Sequence, residues 1–455
     1  MTHPAGNVFV TGLGVVSSLG NDIESFWHAC LDGRSPTEKI PAHWGDYYNG
    51  ASEVWLPLHE PDYSQFGVTR VDLLTLGRPA LIGIAAASQA LTQAGIVVEK
   101  TEGTYPAAVL QNFDSFRAGI FVGTGLGAAQ APFNNYYTHL FSGISSVLQQ
   151  AADLHTEDRQ LRERLAGLRA HPRVNPMVIC QTMPNAIAAN LAIRFGVRGP
   201  VDTTCAACAS STIAIGKAFR AIQRGELDMA IAGGAEHLSD RAGGVFMGFD
   251  RLQTLAKPYR GAGTENRPFD RDRSGFLFSE GGASFAVLES AESLTRRSGR
   301  AIAEVVGFAE TNDAFSIASI KDNSNAIEAM IDRALGNAGI PPEQIDYINA
   351  HGTGTEINDA VESRIIERKF GRQTRVNSSK SLLGHTIGAA GALEFAVTAL
   401  SLERQEIHLC RNLENPIADL AFSLVSGPAS LEYALTQNFG FGGHNAGLVL
   451  HRVQT

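Results

Sequence analysis

Short runs of β-branched and other apolar residues alternate along this 455-residue chain with Ala- and Leu-rich stretches whose apolar positions recur at helical spacing. The run at 8–10 predicts a strand, 82–94 an Ala-rich helix stopped by Gly95, and 119–122 a second strand. The same order then returns. A helix is predicted over 326–338, stopped by Gly339, followed by a strand over 347–350 that runs into His351-Gly352-Thr353-Gly354-Thr355. Such alternation layers helices on a sheet and gives an α/β fold class. Two pairs of segments match in the same order: ALTQAGI (90–96) with ALGNAGI (334–340), and FVGTGLG (121–127) with NAHGTGT (349–355). The ordered pairs predict a duplicated α/β unit with an internal pseudo-twofold; chance similarity between Ala/Gly-rich segments is the competing reading.

One stretch breaks the pattern. In 145–174, Leu161, Leu165 and Leu168 sit at helical spacing with Arg159, Arg162, Arg164 and Arg169 on other faces, which predicts an amphipathic surface helix inserted between core elements. Composition then narrows the function classes. With 44% hydrophobic and 18% charged residues the chain is core-rich and far from disorder. Its net charge of −9 argues against a generic nucleic-acid or anionic-membrane binder, while a local basic patch could still meet an acidic partner. No run of 18 apolar residues is present to span a membrane. The first twenty residues, broken by Gly12, Gly14 and Gly20, read as strand and turn, not as a targeting peptide. Five sparse cysteines, an odd number, exclude a disulfide framework and point to a reducing cytoplasm.

Four segments carry candidate chemistry. In the first, Val201-Asp202-Thr203-Thr204-Cys205-Ala206-Ala207-Cys208 precedes a helical pattern ended by Gly225. Cys208 would open a buried helix, where the macrodipole favours a thiolate and small neighbours admit a substrate. Two other readings fit: small buried cysteines, or a C-x-x-C redox or zinc pair. Zinc would need two more ligands, and Cys30, Cys180 and Cys410 are isolated. In the second, a strand delivers His351 into a Gly/Thr loop, and Asp359 and Glu362 follow on a helix start as capping partners, not catalytic acids. The third, SSKSLLGHTIGAAGALE, sets Lys380 five residues before His385 among close-packing glycines, with Glu394 at its end, and suggests an electrostatic site. The fourth, NFGFGGHNAG (438–447), is either a loop offering backbone N–H groups or a plain strand hairpin.

These segments, in this order, resemble the elongating β-ketoacyl-ACP synthases (3-oxoacyl-ACP synthase I/II) of the thiolase-fold superfamily. The resemblance runs from VFVTGLGVVSSLGN at the N-terminal end to FGFGGHNAGLVL at 439–450, and includes DMAIAGGAE (228–236), RPFDRDRSGF (267–276) and SEGGASFAVLE (279–289). It implies two fused halves in five layers, α-β-α-β-α: 1–290 with the nucleophile and the charged insert 145–174, and 291–455 with both histidines. Cys208 matches the acyl-accepting nucleophile, because the family's glycine eight residues on falls at Gly216, whereas counting from Cys205 would meet Ile213. His351 and His385 match the two histidines of a Cys-His-His triad, and Lys380 the lysine of K-S-x-x-G-H. Phe441 matches the gating phenylalanine, whose N–H would join that of Cys208 in an oxyanion hole. Thr353 and Thr355 match the threonines that contact phosphopantetheine, and Glu394, Phe439 and Gly442 are grouped with them on the substrate-binding side. The implied reaction is a decarboxylative condensation with malonyl-ACP that needs no metal or organic cofactor. Its implied partners are acyl carrier protein and a like or related subunit, as a homodimer or heterodimer.

Three departures bear on the pathway: Thr203-Thr204-Cys205-Ala206-Ala207 before the nucleophile, the loose match at Arg70-Val71-Asp72, and the long insert. They leave the triad complete and bring a specialised type II polyketide or polyene ketosynthase alongside fatty-acid synthesis, including a subunit paired with a chain-length-factor-like partner. A thiolase using CoA thioesters would need a second cysteine in 438–447, which has none. A ketoacyl synthase III would carry Asn for one histidine, and a non-catalytic partner subunit would lack the nucleophile.

The insert generates a test. An acidic carrier docking on an acidic protein needs a local positive patch. Reversing Arg162, Arg164 and Arg169 to Glu should raise KM for carrier-bound substrate and leave turnover of a small acyl-pantetheine thioester unchanged. Equal KM values in steady-state assays would return the insert to a solvated surface helix.

Overall fold

The computed structural model describes residues 6–46, 50–101, 107–129, 131, 144, 175–261 and 263–454. The charged insert 145–174 lies outside the described residues. Among the described residues eleven strands form one mixed sheet: β1 (Val8–Val16), β2 (Ala118–Gly123), β3 (Val201–Thr204), β4 (Met229–His237), β5 (Gly281–Ser290), β6 (Ala303–Asn312), β7 (Tyr347–Asn349), β8 (Arg375–Asn377), β9 (Ala421–Phe422), β10 (Tyr433–Gly440) and β11 (His444–Arg452). Their order is β9-β8-β7-β10-β11-β6-β1-β5-β4-β2-β3.

The duplication is visible in that order. Outward from β1 run β5, β4, β2 and β3; outward from β6 run β11, β10, β7 and β8, with β9 added at the edge. Both series pair antiparallel, antiparallel, parallel, parallel. The halves join where β1 meets β6 antiparallel, Val8 opposite Val305 through Val10 opposite Ala303. The matched sequence segments fall on equivalent elements. ALTQAGI ends helix α1 (Arg78–Gln93) and ALGNAGI ends helix α3 (Asn325–Ala338). FVGTGLG and NAHGTGT leave the equivalent strands β2 and β7.

The helices complete five layers. Helix α1 packs on β1, β4 and β5, and α3 on β6 and β11. They are the outer layers, and each lies so close that a strand side chain could not intervene. A Cβ on Gly12 would stand 2.0 Å from Ala90 O, and one on Gly307 2.3 Å from Ala334 O. Between the two half-sheets lie α2 (Ser210–Gln223) and α5 (Ala390–Arg404), which touch each other and strands of both halves. Three apolar clusters follow the layers: one around the central helices, and one under each outer helix. Helix α4 (Glu356–Phe370) follows the His351 loop. The 438–447 segment is the β10–β11 hairpin, with Gly442 and Gly443 supplying positive φ in its turn. Arg70-Val71-Asp72 opens a short helix whose N-terminus carries a Thr69/Asp72 capping box. Among the described residues no helix is long and apolar enough to cross a membrane.

The central crossing is as close as those outer contacts. A Cβ on Gly391 of α5 would lie 2.0 Å from Thr212 Oγ1 and 3.0 Å from Thr212 N on α2. Gly391→Ala should therefore cost about 1–3 kcal/mol by overpacking. Gly336→Ala, on exposed α3 with nothing within 4 Å, should instead add about 0.5–1 kcal/mol. Denaturant unfolding of both variants checks the contrast; equal stabilities would refute the crossing.

Candidate active site

Each half ends a parallel strand in a strained turn that opens a central helix. After β3, Ala207 takes φ +48°, and the 3-10 turn Ala207–Ala209 carries Cys208 into α2. After β8, Ile387 takes φ +50° in the turn Ile387–Ala389 that leads into α5. A non-glycine residue in that region is uncommon and needs external support, most of all when β-branched. At Ala207 the support is Ser210: its hydroxyl accepts from Ala206 N–H (2.8 Å) and donates to Ala207 O (2.6 Å). Because α2 and α5 begin side by side, the two turns meet.

Three functional atoms converge there. His385 Nε2 lies 2.9 Å from Cys208 Sγ, and Cys208 Sγ and one ring nitrogen of each of His351 and His385 fall within 4.8 Å of one another. The two imidazoles stand edge to face with centroids 5.7 Å apart. Phe276 packs edge-on against His385, and Phe439 lies against His351. All three triad residues are buried.

The second nitrogen of each ring faces a donor. Lys380 Nζ sits 3.1 Å from His351 Nδ1, and Asn438 Nδ2 3.4 Å from the same atom. Lys380 also donates to Glu394 Oε1 (2.5 Å), and Asn438 donates to Glu394 Oε2 (2.6 Å). Asn438 Oδ1 in turn accepts from Thr212 Oγ1 (2.5 Å), which orients the amide. On the other ring, Ile387 N–H donates to His385 Nδ1 at 3.3 Å. Both Nδ1 atoms are thus acceptors, so both Nε2 atoms carry the proton and point donors at the sulfur's space. Burial, then the charge of Lys380, holds both imidazoles well below their ordinary pKa, so they are neutral near pH 7. Burial also raises Glu394, opposed by Lys380.

The thiol departs from the sequence expectation. Burial pushes Cys208 up to about 12, against the lowering influence of Lys380 and the backbone N–H groups of Phe441 and of Cys208 itself. The helix start does not make a standing thiolate here, because desolvation outweighs it. Those same two N–H groups form a backbone donor pair at the sulfur, where a tetrahedral oxyanion would develop.

A cavity of about 490 Å³ opens onto this cluster, lined by Cys208, His351, His385, Thr353, Thr355 and Phe441, with Phe439 beside them. Thr353 and Thr355 face each other, Oγ1 to Oγ1 at 2.9 Å. Two residues grouped with the substrate contacts do not line it. Glu394 is buried behind His351 as the partner of Lys380, and Gly442 sits at the hairpin tip with its N–H donated to Ile317 O. Asp359 and Glu362 are loop anchors, as their helix-start position predicts: Glu362 accepts from His351 N–H (2.7 Å) and Gly352 N–H (2.8 Å), and Asp359 from Gly354 and Phe269 N–H. Asn438 was within a segment singled out in the sequence, yet nothing local marks it as the link between Glu394 and His351.

The sulfur and the two imidazole nitrogens are close enough to suggest a metal site. The rings do not fit one: a metal takes a bare imidazole nitrogen while the other N–H donates to an acceptor, and here both Nδ1 atoms face donors. Cys205 is exposed while Cys208 is buried, and no Cys205-containing ligand cluster occurs among the described residues.

Relatives place this arrangement. The families described as "Beta-ketoacyl synthase, N-terminal domain" and "Beta-ketoacyl synthase, C-terminal domain" match residues 5–293 and 302–414. The chain is 33% identical over 455 residues to the 3-oxoacyl-[acyl-carrier-protein] synthase 2 of Vibrio cholerae, covering 98% of this chain and 99% of that protein. Among solved structures, the ishigamide ketosynthase/chain length factor and a beta-ketoacyl synthase from Burkholderia phymatum each superpose with a TM-score of 0.80 at 27% identity, over 99% of this chain and all of theirs. The fold is therefore thiolase-like. Matched along nearly its whole length, and holding a cysteine and two histidines at the junction of duplicated half-sheets, the chain belongs to the beta-ketoacyl synthase family.

Proposed function

We propose that this protein condenses an acyl group held on Cys208 with malonyl-ACP, releasing CO2 and a 3-oxoacyl-ACP two carbons longer. The observation that carries the reading is the pair of neutral imidazoles whose Nε2–H donors share one cavity with the Cys208 sulfur. In the first half-reaction the sulfur attacks the acyl-ACP thioester, and the oxyanion accepts from the N–H groups of Cys208 and Phe441, each such donor being worth about 3–4 kcal/mol. The carbonyl–sulfur bond to the carrier breaks, and the proton of Cys208 leaves on the carrier thiol. Malonyl-ACP then enters past Thr353 and Thr355, with its thioester carbonyl oxygen accepting from both Nε2–H groups. The bond to the carboxylate breaks, and its electron pair becomes an enolate held by those donors. The enolate carbon attacks the acyl thioester, expelling the Cys208 thiolate.

Neutral imidazoles suit this step, since they donate without drawing the malonyl carboxylate into an ion pair. The Lys380 ammonium at His351 Nδ1 sharpens the donor at Nε2. We assign residues 1–290 and 291–455 to the two halves and place the reaction in the cytoplasm, in fatty-acid or type II polyketide elongation. A second arrangement, in which the chain pairs with a chain-length-factor-like subunit, draws on its likeness to the ishigamide ketosynthase/chain length factor.

Cys208→Ala should abolish condensation with the fold intact, whereas Cys205→Ala should keep most activity. Intact-protein mass spectrometry with acyl-ACP should find the acyl adduct on the Cys208 peptide; an adduct on Cys205 would overturn the assignment. With the thiol pushed up to about 12, alkylation of Cys208 by iodoacetamide should rise about tenfold per pH unit between about pH 6 and 9. A plateau below about pH 8 would mean a preformed thiolate. His351→Ala and His385→Ala should each cut CO2 release from malonyl-ACP by about 10²–10³-fold while permitting some acyl transfer to Cys208. Equal loss in separate assays of the two half-reactions would sink the divided roles.

A further inference from the structure

A buried carboxylate outside the triad holds the second strained turn in place. Glu236, at the end of β4, is fully buried and does not line the cavity. Its Oε2 accepts from Gly388 N–H at 3.1 Å and from Gly125 N–H at 2.5 Å. Its Oε1 accepts from Leu126 N–H at 3.1 Å and from Thr124 Oγ1 at 3.3 Å. Four donors converge on one carboxylate, three of them backbone N–H groups from both halves of the fold. Burial raises this carboxyl to about 7, and the backbone donors oppose the rise. Such a group is expensive to bury and persists only where it does structural or chemical work.

Its position indicates which. Gly388 follows Ile387, whose φ of +50° is a costly conformation for a β-branched residue. Through that conformation the peptide held at Gly388 is tied to the preceding one, whose Ile387 N–H donates to His385 Nδ1, the contact that leaves the proton on Nε2. The carboxylate reaches Gly388 only because that residue has no side chain: a Cβ there would stand 2.4 Å from Glu236 Oε2 and 2.1 Å from Gly125 N. The Lys380 and Asn438 donors that set the tautomer of His351 have no equivalent at His385 among the described contacts. There the single backbone N–H does it, and that N–H is only as well placed as the turn that carries it.

We infer that Glu236 is a positioning residue for the condensation: by anchoring Gly388 it holds Ile387 in its left-handed conformation and so keeps His385 in the tautomer that donates from Nε2. The inference rests on the condensation reading for its activity readout, and on ring geometry alone for its second readout. In Glu236→Gln the side chain keeps its size but exchanges one acceptor oxygen and the charge for an N–H₂ that faces donors in either orientation, so the turn is held less firmly.

The test compares wild type, E236Q and the double variant E236Q/I387G by CO2 release from malonyl-ACP and by nitrogen NMR of labelled histidine rings, with the His385 signals assigned by their loss in H385A. E236Q should release CO2 about ten- to a hundredfold more slowly with KM for malonyl-ACP within about twofold of wild type, and its His385 signals should move toward a mixture of tautomers. Glycine at 387 removes the cost of the left-handed turn, so the double variant should recover part of both the rate and the single-tautomer signature. An unchanged E236Q, or a slowed one whose His385 signature stays that of wild type, overturns the inference. So does a double variant that recovers neither. If E236Q does not fold, Glu236→Asp, which keeps the charge but shortens the reach to Gly388, carries the same two readings. If wild type itself releases no CO2, the condensation reading fails, and the ring signature alone then decides the role of Glu236.

Discussion

The close crossing of α2 and α5 is the constraint on which the site depends. Gly391 admits Thr212 at a distance no larger residue would allow, so the two central helices start side by side at the junction of the half-sheets. Each helix is entered through a left-handed residue, Ala207 or Ile387, and the shared starting point brings Cys208 to His385 although they are 177 residues apart. Packing density explains why this contact can be held so closely. A protein interior transmits displacement instead of absorbing it, so a glycine at the crossing sets a distance at the sulfur.

Around that crossing, buried charge is used to hold rings in place. Moving Lys380 and Glu394 out of water costs several kcal/mol in general, and an ion pair of this kind is weak evidence for stability. Its visible consequence is elsewhere: the ammonium faces His351 Nδ1, and Glu394 with Asn438 completes the cage. The energy lost in desolvation appears as a fixed tautomer and a neutral imidazole. Glu362 does the same for the backbone of the His351 loop, accepting two successive N–H groups, and burial raises it to about 7 as it does Glu236.

The duplication distributes these tasks unevenly. Equivalent strands β2 and β7 leave the sheet into Gly-rich loops, but only the second carries a histidine, His351. Equivalent strands β3 and β8 lead to the two strained turns, one bearing the sulfur and the other preceded by His385. The β10–β11 hairpin then closes over both, placing Phe441 N–H at the sulfur and Asn438 behind His351. One topological plan, used twice, thus builds a single asymmetric site at its centre.

Periodicity and the two ordered repeats were enough to read the layered α/β class and the duplication, because strands and amphipathic helices are encoded by neighbours a few residues apart. The ordered motifs, read through their likeness to the family, were likewise enough to single out Cys208, His351, Lys380, His385 and Phe441, which sit in or beside turns rich in glycine and small residues. What tertiary structure alone decided lies in contacts between distant segments. Asn438 joins Glu394 to His351, Glu236 reaches across to Gly388, and Glu394 stands behind the histidine and not beside the substrate cavity. The thiol shows the difference most plainly. A helix start is legible in sequence and argues for a lowered pKa, but burial is a property of the packed core, and at Cys208 the loss of water outweighs the dipole.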